Sequence, residues 1–318
     1  MSAGRFLPSE PQAGQRGRGW FALVCFILLS PVLVFAAMVG VDRALGSPAS
    51  GRDYALRFDL PRAETEVGLP PIAGPADPSR PLVVIDAGHG GHDPGAGDGP
   101  VKEKDITLML ARALRQRLLE QGGIRVALTR DTDRYLLLED RSGIARRLHA
   151  NLFVSIHADS SETGTATGAT VYTLSDRGSS QEAEKLAVSQ NRADIVNGVA
   201  LSRTSSAVSA ILVDLSQRHA ARQSEEFARL ILREAEGRIA FRDRPIQSAA
   251  FVVLKSPDLP SVLFEAGYVS NSEDFKRLGS REGRDAFADV TAQAIRVYFA
   301  RQAAGVLADT PRQGPPAP

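Results

Sequence analysis

The chain has 318 residues, 43% hydrophobic and 24% charged, with 38 basic residues against 37 acidic ones. That composition suits a globular domain of about 200–250 residues with extensions and excludes disorder throughout. A net charge of +1 gives no polyanion-binding field, so no nucleic acid partner is expected, and the single cysteine, Cys25, leaves no disulfide, thiolate metal site or cysteine nucleophile elsewhere.

Residues 1–19 form a basic N-terminal segment that carries Arg5, Arg16 and Arg18. Trp20–Val41 comes next, with 22 residues and no charge. As a helix it would reach about 33 Å, enough for a bilayer core. Positive charge before the apolar run predicts a cytoplasmic N-terminus and export of the rest of the chain. Residues 20–41 therefore read as a transmembrane anchor or, with Ala36 and Ala37 as small residues near a cleavage site, as a cleaved signal peptide. Either places the remainder outside the cytoplasm, and the first would anchor it in the inner membrane facing the periplasm.

Residues 42–80 hold six prolines and no sustained periodicity, which predicts a linker. Its 39 residues would have a root-mean-square reach of about 30–40 Å as a flexible chain. Residues 302–318 are rich in Pro, Ala and Gly and read as a disordered tail.

The domain between them, residues 81–301, alternates strand and helix patterns. Leu82–Asp86, Arg125–Thr129, Leu152–Ile156, Ala169–Thr173, Phe251–Leu254 and Ser261–Phe264 are short, nearly continuous apolar runs, as in strands covered on both faces. Ile106, Met109, Leu110, Ala113, Leu114 and Leu118 fall at helical spacing, as do Phe227, Leu230 and Ile231, and Phe287, Val290, Ala294, Ile295 and Tyr298. The expected fold is α/β: a twisted, mostly parallel sheet of about six strands flanked by helices. Ligands of such sheets bind beyond the carboxyl ends of the strands.

There the chemistry-bearing residues gather. The first strand breaks into a glycine-rich loop that carries His89, Glu103 opens the next helix, and the third strand runs into His157. Two imidazoles and a carboxylate suit a catalytic zinc with one open position. Their separations of 14 and 54 residues match no short helical zinc motif, so spacing leaves other readings open. Each histidine could be a hydrogen-bonded loop or strand-end residue. Glu103 could serve the helix dipole, and the loop could hold a phosphate, although Gly88-x-Gly90-Gly91 lacks the dinucleotide spacing.

The ordered set Ile85-Asp86-Ala87-Gly88-His89-Gly90-Gly91-His92-Asp93-Pro94-Gly95-Ala96, Lys102-Glu103-Lys104, Leu128-Thr129-Arg130-Asp131, Ser155-Ile156-His157-Ala158-Asp159, Phe251 to Ser261 and Glu265-Ala266-Gly267-Tyr268-Val269-Ser270-Asn271 resembles the zinc-dependent N-acetylmuramoyl-L-alanine amidases. The particular similarity is to the cell-separation amidases of Gram-negative bacteria. The resemblance implies that His89, Glu103 and His157 ligate one Zn²⁺ and that Glu265 is the catalytic glutamate, while His92 takes a variable loop place. His149 and His219 fall in predicted helices as surface or packing residues. The implied reaction is hydrolysis of the amide between N-acetylmuramic acid and L-alanine in peptidoglycan, for wall remodelling or daughter-cell separation.

The same resemblance implies a helical insertion at about 190–217 that covers the site and is displaced by an activator protein with an inactive peptidase-like domain. In that picture some family members place a glutamate from this segment on the metal. Here the corresponding place is Gln190, with Glu182, Glu184 and Asp194 nearby. Val208, Ile211, Leu212 and Leu215 fit either a gating helix or one packed on the sheet. The linker is too short for the N-terminal β-rich domain of related enzymes, which would leave placement near the wall to the membrane helix. Two other activities compete: an inactive wall-binding homologue, and a zinc carboxypeptidase on a similar fold.

Overall fold

The structure, a computed structural model, describes residues 29–30, 68–97, 101–161, 165–196, 199–200, 210–256 and 258–309. Its strands are β1 (Leu82–Ala87), β2 (Arg125–Leu128), β3 (Leu152–Asp159), β4 (Ala169–Leu174), β5 (Ile195–Val196), β6 (Val199–Ala200), β7 (Phe241–Ala249) and β8 (Ser261–Tyr268). The helices of the domain are α1 (Glu103–Gln121), α2 (Leu138–Arg147), α3 (Gln181–Asn191), α4 (Ala210–Glu234), α5 (Ser272–Gly279) and α6 (Arg281–Asp309).

Every residue of β1 and β8 is buried, which explains why these segments read as unbroken apolar runs rather than alternating ones. The main sheet has the order β2-β1-β3-β8-β4-β7. Strands β2, β1, β3 and β8 are parallel. Strand β4 runs antiparallel to β8, and β7 runs parallel to β4. The carboxyl ends of β1, β3 and β8 therefore share one sheet edge with the starts of β4 and β7. That edge carries the site.

Helix α1 starts where Asp105 accepts the Lys102 backbone N–H at 3.0 Å, with Glu103 and Asp105 in its first turn complementing the helix dipole. Its Ile106, Leu110, Leu114 and Leu118 recur every fourth residue, and all are fully buried. They join Phe227 and Ile231 of α4 and Phe287, Ile295 and Tyr298 of α6 in the core on one sheet face. Leu138 of α2, Leu186 of α3, and Phe251 and Leu254 cover the other face with Phe153, Tyr172 and Leu263. Truncating a core leucine such as Leu114 to alanine costs about 2–5 kcal/mol.

Several expectations need correction. Phe251–Leu254 is not a strand: Val252–Leu254 forms one 3-10 turn whose Val253 and Leu254 are buried. The sixth strand is β7, which is not among the six apolar runs named above. The six-stranded, mostly parallel sheet is as expected: among the described residues four of its five pairings are parallel and the β4–β8 pairing is antiparallel. The described end of the linker, residues 68–80, is tied to the sheet, since Ala73 exchanges both backbone hydrogen bonds with Val126 at 2.8 and 2.9 Å. Helix α6 runs on to Asp309, so residues 302–309 are helical rather than a disordered tail. His149 lies just past α2 with a left-handed backbone, φ 53°, and not in a helix. His219 is exposed on α4.

Residues 20–41 lie outside the described residues apart from Leu29 and Ser30, as do 1–19, 42–67 and 310–318. Among the described residues no helix is long and apolar enough to cross a membrane.

Candidate metal centre

Three segments far apart in sequence bring His89, Glu103 and His157 together. His89 leaves β1, Glu103 is the first residue of α1, and His157 lies near the end of β3. Each offers a donor atom, these atoms lie within 4.8 Å of one another, and all three residues are buried. Glu103 Oε1 stands 3.1 Å from His89 Nε2 and 3.0 Å from His157 Nδ1. The imidazoles meet edge to face, with ring centroids 4.9 Å apart.

The surroundings fix these donors. Glu103 accepts the Ala96 N–H at 2.8 Å on one oxygen and the Ala158 N–H at 3.0 Å on the other. Asp93 Oδ2 sits 2.7 Å from His89 Nδ1 and so orients the ring. The close approach needs glycine: a Cβ on Gly95 would come within 2.6 Å of Glu103 Oε2 and 2.7 Å of His89 Cδ2, and one on Gly88 would collide with the His157 ring.

Two buried arginines hold the loop's backbone. Arg141 donates to Asp86 Oδ1 at 3.1 Å, to the Ala87 and His89 carbonyls at 2.9 Å each, and to the Leu136 carbonyl. Arg130 donates to the carbonyls of Ala87 at 2.9 Å and of Gly88 and Lys104 at 2.8 Å each. His89 adopts φ 59°, rare for a residue with a Cβ, and the Arg141 bond to its carbonyl helps to hold it there.

Glu265 reaches the same place from β8. Its register partner on β3 is His157, and its partner on β4 is Thr170. Both Glu265 carboxylate oxygens are buried without a hydrogen-bond partner. Burial first, then the nearby Asp159 and Glu103 carboxylates, hold its pKa well above the ordinary carboxylate value. Burial works against charge on His89, yet Glu103 and Asp93 outweigh it and push that imidazole up to about 9.

The donor set fits a zinc ion. It is two imidazoles and one carboxylate, and His89 Nε2 is buried beside Glu103 without making a hydrogen bond. An ion there would also give a counter-charge to the unpaired Glu265.

A cleft of about 1320 Å³ opens beside these residues and is lined also by Gln190, Arg192 and Arg242. The acids near the expected insertion are engaged elsewhere. Glu182 pairs with Arg242 at 3.1 Å, and Glu184 accepts the Gly178 N–H at 2.6 Å. Asp194 accepts the Tyr135 hydroxyl at 2.7 Å and the Leu138 N–H at the start of α2. Gln190 brings an amide to the cleft. His92 stacks on Tyr135 at 4.0 Å, away from the donor set.

Sequence reasoning missed Asp93, Arg141 and the Asp86 network. Asp93 carried a signal, being an acid four residues after a loop histidine. Arg141 had none, because its partners are backbone carbonyls.

Comparison with known proteins agrees with this geometry. The family model for N-acetylmuramoyl-L-alanine amidase (Amidase_3) matches residues 83–297. N-acetylmuramoyl-L-alanine amidase AmiC of Escherichia coli O6:H1 is 33% identical over 285 residues, covering 86% of this chain and 67% of that protein. AmiA of Escherichia coli K12 is 39% identical over 220 residues, 69% of this chain and 76% of that protein. Among solved structures, amidase AmiC2 of Nostoc punctiforme shares 32% identity at a TM-score of 0.50, over 70% of this chain and 98% of that one. The fold and site define an α/β hydrolytic enzyme with a buried His-Glu-His cluster. The chain belongs to the N-acetylmuramoyl-L-alanine amidase family, as its motifs led one to expect.

Proposed function

We propose that the protein hydrolyses the amide bond between N-acetylmuramic acid and L-alanine in peptidoglycan, with a zinc ion held by His89, Glu103 and His157 and with Glu265 as the proton carrier. The observation that carries this reading is the convergence of those three donors beside an unpaired buried glutamate, in a chain of this family. Bound zinc would supply Lewis acidity toward the scissile carbonyl and bring the pKa of water toward about 7.

The chain's own residues do the rest. Asp93 and the Arg141 bond to the loop keep His89 aimed at the centre. Glu265, having no donor to satisfy its oxygens, accepts the proton of the attacking water and returns it to the leaving nitrogen. The cleft leaves room for glycan and peptide on either side of the bond.

The substrate lies outside the cytoplasm, and residues 20–41 supply the export signal, as a membrane anchor or as a cleaved leader. The segment at about 190–217 gates the cleft, and an activator protein with an inactive peptidase-like domain relieves it. The supporting observations are that Gln190 and Arg192 line the cleft and that Asn191 and Asp194 clamp the segment to its neighbours.

Digestion of purified sacculi with and without a chelator, with the products resolved by mass spectrometry, tests the reading. Intact stem peptides with new L-alanine amino termini, abolished by chelation, are expected. Loss of terminal residues would identify a carboxypeptidase, and undigested sacculi that retain the protein would identify a binding homologue.

A further inference from the structure

The cleft has two chemically different sides. His89, Asp93 and Glu103 line the metal side, and Lys185, Arg192 and Arg242 line the side built by α3, the turn after it and β7. Lys185 and Arg192 are exposed, and among the described residues neither has an ion-pair partner. Arg242 is the inner member. It lies over the Tyr268 ring at 5.6 Å and donates to the Tyr268 hydroxyl at 2.9 Å and to Glu182 at 3.1 Å. That Glu182 side chain is 69% exposed and has this one ion pair. Such a solvent-exposed pair is weak, so another carboxylate can take its place.

The sheet order sets the distance. From His157 on β3 to Arg242 on β7 the path crosses β8 and β4, three strand spacings of about 4.8 Å each. An extended peptide that advances about 3.4 Å per residue covers this in roughly four residues, fewer once the reach of the arginine is included. A peptide leaving the scissile bond through its alanine would present its acidic side chains and its terminal carboxylate along this wall.

We propose that Lys185, Arg192 and Arg242 form a carboxylate-binding wall that reads the acidic peptide on the L-alanine side of the scissile bond, with Glu182 occupying the Arg242 site until substrate arrives. This rests on the amidase reading above and adds an orientation to it: the peptide runs toward β7 and the glycan lies on the opposite side. The guanidinium offers a planar fork to one carboxylate, and Lys185 and Arg192 add positive potential at the mouth.

The test uses two synthetic N-acetylmuramoyl-L-alanyl peptides that differ only in whether their carboxylates are free or amidated. On the free acid, Arg242→Gln should raise KM at least tenfold and Arg242→Lys less. Glu182→Gln, which removes the competitor, should lower KM severalfold. On the amidated substrate all three should stay within about twofold of the parent protein. Equal KM increases on both substrates, or an unchanged KM on the free acid, would overturn the proposal.

Calorimetry with the free-acid peptide lacking its muramoyl group separates the wall from the chemistry. Binding weakened by Arg242→Gln and strengthened by Glu182→Gln supports the wall even if the parent protein cleaves neither substrate, a result that would remove the amidase reading alone. Binding indifferent to both substitutions removes the wall.

Discussion

Glu103 and Glu265 are both buried carboxylates at the same edge of the sheet, yet their proton affinities are driven apart. Burial pushes both up. Around Glu103 the His89 and His157 imidazoles outweigh it and hold the carboxyl well below its ordinary value. Around Glu265 burial acts together with the Asp159 and Glu103 carboxylates and outweighs what the Asp159 backbone N–H offers, so its pKa stays high. That separation supports the roles proposed for them, Glu103 as a charged ligand and Glu265 as the proton carrier. Glu265→Gln should therefore keep its metal while its turnover of sacculi falls about 10²- to 10⁴-fold; parent-like turnover would remove Glu265 from the chemistry. Arg141 acts at the same scale but on stability. Arg141→Ala leaves the Asp86 charge buried without its cation and should cost about 3–5 kcal/mol in urea denaturation. The glycine break after β1 and the histidine after it were legible as a site. The arginines that grip its carbonyls were not, because backbone acceptors leave no mark on a sequence pattern.

Among the elements, α5 is tied to the sheet by Asp274. Its Oδ2 accepts the Gly168 and Tyr268 N–H groups at 2.9 and 3.0 Å, and Oδ1 takes Arg277 at 2.8 Å. Burial raises this carboxyl, but Arg277 and the two amides outweigh it and hold its pKa below 3.8. The stability it contributes is present above the unfolded pKa of about 3.9 and is lost as pH falls through the lower folded value. Asp274→Asn should cost about 1–3 kcal/mol near pH 7. The gap should narrow at about pH 3, as urea denaturation at both pH values would show. The proposed gate belongs to this scale too. Replacing residues 195–209 by a short Gly-Ser linker, with Asn191 and Asp194 spared, should raise hydrolysis by the folded, zinc-loaded enzyme; an unchanged rate would dismiss the gate.

Legibility varied from strand to strand for physical reasons. Strands β1, β3 and β8 are covered on both faces, so their apolar runs showed plainly. Strand β7 is at the sheet edge, half exposed, and carries Arg242, Asp243, Arg244 and Pro245, which reads as a loop. Phe251–Leu254 has a strand's composition because its turn is buried against Tyr172.

For the whole molecule, the reversed β4–β7 pair matters most. It brings the starts of two strands to the edge where β1, β3 and β8 end, and so continues the edge that carries the His-Glu-His cluster into a cleft wall. The alternation of strands and helices announced a layered α/β domain, and the ordered motifs announced its family. The mostly parallel course of the sheet was legible from that alternation, but the reversal of β4 and β7 was not, because a short buried run has the same composition either way up.

The central claim is that His89, Glu103 and His157 ligate one zinc ion while Glu265 works beside it without holding it. Zinc per chain, measured by elemental analysis after dialysis on variants shown to be folded by circular dichroism, tests this most directly. One zinc is expected in the parent protein and in Glu265→Gln, and none in His157→Ala. A tightly held, stoichiometric zinc in folded His157→Ala would contradict the account.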